Sequence, residues 1–128
     1  MIGSGLRGIY EAYIACLNAQ DWPSLARFVH DDVQRNGMRL GLAGYRRMLE
    51  RDFALIPDLA FDIQLLICDP PLVASRLGFD CRPQGTFLGL EVNGKRVRFT
   101  ENVFYAFRDD KIHEVWSVID KAAIEHQL

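Results

Sequence analysis

VRFTENVFYAFRDDKIHEVWSVID, residues 97–120, is the stretch that decides the fold. Apolar and polar residues alternate on both sides of Asp109-Asp110, a pair that tolerates the backbone of a tight turn. The pattern predicts an antiparallel hairpin with a two-residue loop. Its register pairs Phe107 with Ile112, Val103 with Trp116, Glu101 with Val118 and Phe99 with Asp120.

A second and stronger turn signal, Asn93-Gly94, lies just before this stretch, since both residues accept the positive φ of a type I′ turn. A two-residue loop there pairs Leu90 with Val97, Leu88 with Phe99 and Thr86 with Glu101. Directly opposed residues share a face of the sheet. The two registers together place Glu101, Trp116 and Asp120 on the apolar core face. Glu101 and Asp120 become diagonal neighbours, with backbones about 7 to 8 Å apart.

Helical patterns come earlier in the chain. Apolar residues from Leu6 to Leu17 recur with helical spacing, and a second short helix begins at Asp21 with Pro23 in its first turn. A third helix fits Leu42 to Ile56, and the apolar period changes to two from Ala60 onward. Three helices followed by antiparallel strands, without strand–helix alternation, indicate the α+β class.

Length and composition narrow the classes of protein. The 128 residues predict a single domain over 1–128, and the 49% apolar and 25% charged fractions are those of a globular chain without a membrane span. With a net charge of −2 the chain has no excess of basic residues, so no nucleic-acid partner is expected. Three cysteines and three histidines show no ligand spacing, and no metal site is predicted. The first residues lack a secretory signal pattern, which predicts a cytoplasmic location.

Two acids on an apolar face are the most informative feature, because an unpaired buried carboxylate is costly. Glu101 and Asp120 could share a ligand or a proton, which would raise one pKa and create a general acid or base. The structural alternatives are that Arg76 neutralises Glu101, and that Asp120 accepts backbone N–H groups at a strand end. The sequence is compatible with the functional and the structural role of each acid.

Five further residues are candidates for binding a substrate. Arg76 could hold a carboxylate or enolate oxygen, or could form a salt bridge to Asp80 or Glu101. Asn36 could be a turn residue before Gly37 or an amide in a pocket. The remaining candidates are aromatic side chains expected to line the pocket: Tyr13, Tyr105 and Trp116.

The chain also resembles a known family. The HDDV segment at 30–33, GTFLG at 85–89, NGKRV at 93–97 and the ending ENVFYAFRDDKIHEVWSVID are similar to the SnoaL-like polyketide cyclases and ester cyclases of the NTF2-like superfamily. The resemblance implies a cone in which three N-terminal helices pack on a strongly curved antiparallel sheet. It also implies a pocket without cofactors and homo-oligomers, here expected to be homodimers, joined through sheet faces.

The same resemblance implies a catalytic role for one of the two acids. In the cyclases an acid on the last strand, matched here by Asp120, is the general acid/base in an intramolecular aldol closure of a polyketide ester. These cyclases commonly have a histidine just before the GxFxG stretch, where this chain has Pro83. FTENVFYAF, which contains Glu101, is similar to a less characterised branch of the family, so the reaction can differ from polyketide closure.

The leading hypothesis is therefore a cofactor-independent acid/base enzyme that acts on a small hydrophobic oxygenated molecule. Asp120 would carry the proton and Glu101 would assist it. An isomerase or dehydratase resembling ketosteroid isomerase or scytalone dehydratase needs the same fold and the same acids. A non-catalytic domain that binds a small molecule is the alternative outside enzymology.

Overall fold

Helix α1 forms where the N-terminal apolar stripe predicts it. The computed structural model describes residues 2–128, with side chains from residue 5 onward, and α1 spans Ile2–Asn18. The predicted second helix is a 3-10 helix, Trp22–Arg27, with Pro23 in its first turn. Helix α2 spans Gly41–Leu55 and ends ahead of Pro57. A further helix that the sequence reading missed, α3, spans Lys121–Gln127.

The strands form one curled six-stranded sheet and a separate two-stranded ribbon. In chain order they are β1 Val29–Arg35, β2 Met38–Arg39, β3 Asp62–Asp69, β4 Leu72–Cys81, β5 Thr86–Phe87, β6 Leu90–Glu91, β7 Val97–Arg108 and β8 Lys111–Ile119. The order across the sheet is β2-β1-β8-β7-β4-β3, and β5 pairs with β6. These helices and this sheet confirm the predicted α+β class.

One strand pair departs from the predicted antiparallel arrangement. Strand β1 runs parallel to β8, whereas the other neighbouring strands are antiparallel. The two parallel strands are far apart in the chain, so no hairpin turn sets their relative direction. The pair places the early segment 29–35 beside the last strand of the sheet.

The Asp109-Asp110 turn forms as predicted, but the register beyond it is wrong by one residue. Phe107 faces Ile112, after which a bulge at His113 shifts the pairing. The pairs beyond the bulge include Phe104 with Trp116 and Glu101 with Ile119. A bulge reverses the faces of the residues that follow it, so Ile112 and Val115 are both buried although they are three positions apart.

The Asn93-Gly94 turn also forms, with φ values of 51° and 82°. It does not join two long strands, and the predicted pairing of residues 86–90 with β7 is wrong. Strand β7 pairs instead with β4, with Phe79 facing Phe99 and Leu77 facing Glu101. Residues 82–96 form a loop between these strands, closed by backbone hydrogen bonds from Val92, Asn93 and Gly94 to the carbonyls of Gly85 and Pro83.

The inner face of the sheet packs against the helices. Buried side chains from α1, α2 and the inner positions of β4, β7 and β8 form one apolar cluster. Tyr10, Tyr13, Val97 and Ile112 are among its completely or almost completely buried members. Among the described residues, no helix is long and apolar enough to cross a bilayer.

Candidate functional site

A cavity of about 240 Å³ lies between the helices and the inner face of the sheet. Its lining combines a few polar side chains with a larger apolar surface. The polar groups are Arg35, Asp52, Glu101, Tyr13, Tyr45 and Tyr105, and the aromatic apolar groups are Phe61, Phe79, Phe87 and Phe99. An apolar cavity with a few converging polar groups is typical of a site for a small organic molecule.

Glu101 is one of two acids that line this cavity. Strand β7 directs it inward between Phe99 and Val103, and its side chain is only 14% exposed. The Ser117 hydroxyl donates a hydrogen bond to Glu101 Oε2, and Arg35 Nη2 lies 3.8 Å from the same oxygen. Burial raises the pKa of Glu101, while the Ser117 hydrogen bond and the Arg35 charge lower it. The carboxyl can therefore hold or release a proton within the cavity.

Arg35, and not Arg76, is the cation beside Glu101. It is the last residue of β1, and the parallel pairing of β1 with β8 brings it to Ser117, whose Oγ accepts a hydrogen bond from Arg35 Nη2 at 3.4 Å. The sequence contained a weak signal for this position, because Arg35 is two residues after the buried Val33 on a strand. Its contact with Glu101 depends on a long-range strand pairing that the local pattern does not reveal.

Asp52 is a second acid of the cavity that the sequence reading missed. It lies on α2, and burial raises its pKa to about 6. The Arg35 charge lowers this pKa and the Glu101 charge raises it, so the three groups form one electrostatic cluster. Its signal was present in the sequence, since Tyr45, Leu49, Asp52 and Ile56 share one helical stripe.

Tyrosine hydroxyls complete the polar part of the site. Tyr13 and Tyr45 share a hydrogen bond of 2.7 Å between their hydroxyl oxygens, and Tyr10 donates one of 3.2 Å to Tyr105. Burial raises the pKa of Tyr10 to about 12 and also raises the pKa values of the other three. The four phenols thus stay protonated near neutral pH and can donate hydrogen bonds. Tyr13 and Tyr105 line the cavity, where the sequence reading put them.

Asp120 does not share the cavity with Glu101, so the predicted pair of neighbouring acids is wrong. The bulge at His113 turns Asp120 away from the core face. Asp120 is the N-cap of α3, and its Oδ1 accepts a hydrogen bond of 3.1 Å from the backbone N–H of Ala123. The structural alternative for Asp120, a carboxylate that accepts backbone N–H groups, describes this arrangement.

Three other candidates also lie outside the cavity. Trp116, 41% exposed, and Arg76 are on the outer face of the sheet, opposite to the predicted placement of Trp116. Asn36 is a turn residue with φ 49°. Its side-chain amide binds the backbone N–H and carbonyl of Ser117, and so fastens β1 to β8. Within residues 2–128, no cluster of three or more His, Cys, Asp or Glu side chains is arranged to hold a metal ion.

Comparison with known proteins agrees with this architecture. The profile of the SnoaL-like polyketide cyclase family matches residues 7–128. A SnoaL-like polyketide cyclase from Agrobacterium tumefaciens shares 52% sequence identity and superposes with a TM-score of 0.94, covering 95% of this chain and 96% of that one. A search of curated proteins gives no significant match.

More distant structures share the fold alone. TsrD from Streptomyces laurentii is 21% identical, with a TM-score of 0.82 over 94% of this chain and 92% of that chain. IdmH from Streptomyces antibioticus is 18% identical, with a TM-score of 0.82 over 96% and 97% of the two chains. At these identities the likeness supports the curved sheet with packed helices and carries no information on substrate.

Proposed function

Because the chain belongs to the SnoaL-like polyketide cyclase family, we propose that it is a cofactor-independent acid/base enzyme of the ester or polyketide cyclase type, acting on a small hydrophobic oxygenated molecule. The observation that carries the proposal is the Glu101 carboxyl. This carboxyl lies at the wall of an apolar cavity, and its pKa is raised. A second acid, Asp52, and a cation, Arg35, line the same cavity. Such a perturbed cluster in a cavity is characteristic of catalytic groups.

In the proposed step, ionised Glu101 removes a proton from a carbon between carbonyl groups. The electron pair of the broken C–H bond moves into the enolate, which closes a ring by forming a carbon–carbon bond to a second carbonyl. The resulting alkoxide takes a proton from a protonated acid, for which Asp52 is suited by its pKa of about 6. The proton-carrying role predicted for Asp120 thereby passes to Glu101.

Donors for the developing negative charge are present in the same cavity. The hydroxyls of Tyr13, Tyr45 and Tyr105 are buried and protonated. Because Tyr13 and Tyr45 share one hydrogen bond, one hydroxyl of that pair and the hydroxyl of Tyr105 can donate to an enolate oxygen. Preorganised donors of this kind stabilise transition states strongly in a dry site. The Arg35 guanidinium supplies the neighbouring positive charge.

The proposal is tested with 5-nitrobenzisoxazole, a small bicyclic probe that opens to a coloured phenolate when a base removes its carbon-bound proton. We expect saturable catalysis by the native protein and a fall in kcat/KM of about 100-fold in Glu101→Gln. Asp120→Asn is the matched control, because it removes a carboxylate outside the cavity and asparagine also caps helices well. Equal rates for native protein and Glu101→Gln would refute the role of Glu101. Binding of the probe without turnover would favour a non-catalytic binding domain.

We further propose that the protein is a homodimer joined through the outer face of the sheet. This face exposes a contiguous apolar surface made of Leu65, Ile67, Leu72, Phe104, Trp116 and Val118. Arg76 lies within this surface. Asp69 and Glu114 lie at one end of it, in register with Leu72 across the neighbouring strands. A patch that carries both charge signs can pair with its own copy across a two-fold axis. Contiguous apolar surfaces that are exposed to solvent are typical of sites of protein–protein contact.

A further inference from the structure

A strained turn lies at the edge of the cavity. Leu88 and Gly89 join β5 to β6 with φ values of 52° and 77°, the left-handed region that type I′ turns require. Asparagine, aspartate and glycine are the residues favoured at the first of these positions, whereas a leucine side chain clashes with its own backbone there. The same loop has an unstrained counterpart in Asn93-Gly94, with φ values of 51° and 82°.

Leu88 is also the most exposed residue among those that line the cavity in the described part of the chain. It is 38% exposed, while the other lining side chains are buried or only partly exposed. Leu88 therefore belongs both to the cavity lining and to the solvent-exposed surface. The preceding residue, Phe87, is 8% exposed and packs its ring 5.7 Å from Phe99, so it anchors the ribbon.

The rest of the loop holds the ribbon in position. The Gly85 carbonyl accepts hydrogen bonds from Val92 and Asn93 at 3.0 and 2.9 Å, and the Gln84 N–H binds the Leu55 carbonyl at the end of α2. The turn is thus fixed at its base and carries Leu88 at its tip.

Two separate effects make Leu88 unfavourable in the free protein. Its backbone conformation is less favourable for leucine than for asparagine or glycine, and its apolar side chain stays partly in water. Contact with an apolar part of a bound molecule would bury the exposed portion of the side chain and offset both.

We propose that Leu88 is a specificity-determining residue that closes the mouth of the cavity over the apolar end of the substrate. The inference rests on the proposed function in one respect, that the substrate occupies this cavity. The role of Leu88 narrows the class of substrate to a molecule with an oxygenated end directed to Glu101 and an apolar end that reaches Leu88. A substrate that is polar at both ends would leave Leu88 in water.

The test uses 2-naphthol, a fluorescent bicyclic phenol with one polar and one apolar end, together with thermal unfolding. In Leu88→Asn we expect a melting temperature about 3 °C higher, since the strain is removed. We expect the dissociation constant for 2-naphthol to rise about tenfold, because the apolar contact is lost. Leu88→Gly should behave in the same way.

Asn93→Leu is the matched control, because it places leucine at the equivalent position of a turn that does not line the cavity. It should lower the melting temperature and leave 2-naphthol binding unchanged. A lower melting temperature for Leu88→Asn would show that Leu88 is a packing residue and overturn the proposal. Binding by Leu88→Asn as strong as by the native protein would also overturn it.

These outcomes are separable from failure of the proposed chemistry. If Leu88→Asn weakens 2-naphthol binding while Glu101→Gln opens 5-nitrobenzisoxazole at the native rate, the proton-transfer role fails and the role of Leu88 stands. If Glu101→Gln is inactive on that probe while Leu88→Asn binds 2-naphthol normally, the chemistry stands and the role of Leu88 fails.

Discussion

Glu101 and Asp52 are electrostatically coupled, because the negative charge of Glu101 raises the pKa of Asp52. Arg35 limits this effect by lowering both pKa values. The result is a pair of acids that need not lose their protons together, so one can be the base while the other is the acid. A proton-transfer enzyme that works near neutral pH needs this division of roles.

The raised pKa of Asp52 predicts a pH-dependent cost in stability. An aspartate has a pKa of about 3.9 when unfolded, and about 6 here, so the folded state binds the proton more tightly. The cost is absent below about pH 4, grows through the window between the two values and is complete above about pH 6. Asp52→Asn should therefore raise the free energy of unfolding at pH 8 by about 2 kcal/mol and leave it nearly unchanged at pH 4.

Urea unfolding at the two pH values measures this difference. Asp31→Asn, a change at an exposed aspartate, controls for the loss of one negative charge. A gain in stability that is equal at pH 4 and pH 8 would contradict the assignment of a raised pKa to Asp52.

At the scale of elements, α3 depends on its N-terminal cap. The Asp120 carboxylate binds the Ala123 N–H, and the helix buries Ile124 completely against the rest of the protein. Asp120→Ala should lower the free energy of unfolding by about 1 kcal/mol, whereas Asp120→Asn should change it by only a few tenths. Chemical denaturation of the two variants measures the difference. Equal losses for both would point to the charge of Asp120, and not to its capping hydrogen bond, as the stabilising property.

Local patterns predicted two helices and two turns correctly because each of them depends on its own residues. Apolar spacing located α1 and α2, and turn residues located Asn93-Gly94 and Asp109-Asp110. The inward direction of Glu101 was also predictable, since the alternation along β7 sets it whichever strand pairs with β7.

Pairing between strands was less predictable. The bulge at His113 allows both Ile112 and Val115 to be buried, and it places Trp116 and Asp120 on the outer side of the sheet. This requirement comes from tertiary packing, so no turn residue in the sequence indicates it. Arg35 and Asp52 joined the site through contacts between distant segments. The sequence pattern therefore indicated one acid of the cavity, Glu101, but the partner predicted for it, Asp120, was wrong.

At the scale of the whole molecule, we propose that the outer face of the sheet forms the homodimer interface. Phe104 is 59% exposed and pairs across the sheet with Trp116 in the centre of the apolar surface. Phe104→Asp should convert the proposed homodimer to a monomer, because it places a charge in the middle of the interface. Light scattering coupled to size-exclusion chromatography measures the mass of each form.

Met38→Asp is the matched control, since Met38 is 66% exposed on β2, away from this face. It should keep the native mass. A native protein that is monomeric, or a dimer that persists in Phe104→Asp, would contradict the proposed interface.

The parallel pairing of β1 with β8 has a consequence for the order in which the protein is made. Arg35 emerges from the ribosome long before Ser117, so β1 must wait for the last strand of the sheet to be translated. Pairing of strands with such long sequence separation is intrinsically slow, because closing the intervening loop costs entropy. Until β8 docks, Glu101 lacks both its hydroxyl donor and its cation. The acid that we propose for catalysis therefore gains the hydroxyl and the cation around it only once the last strand of the sheet has been made and has docked.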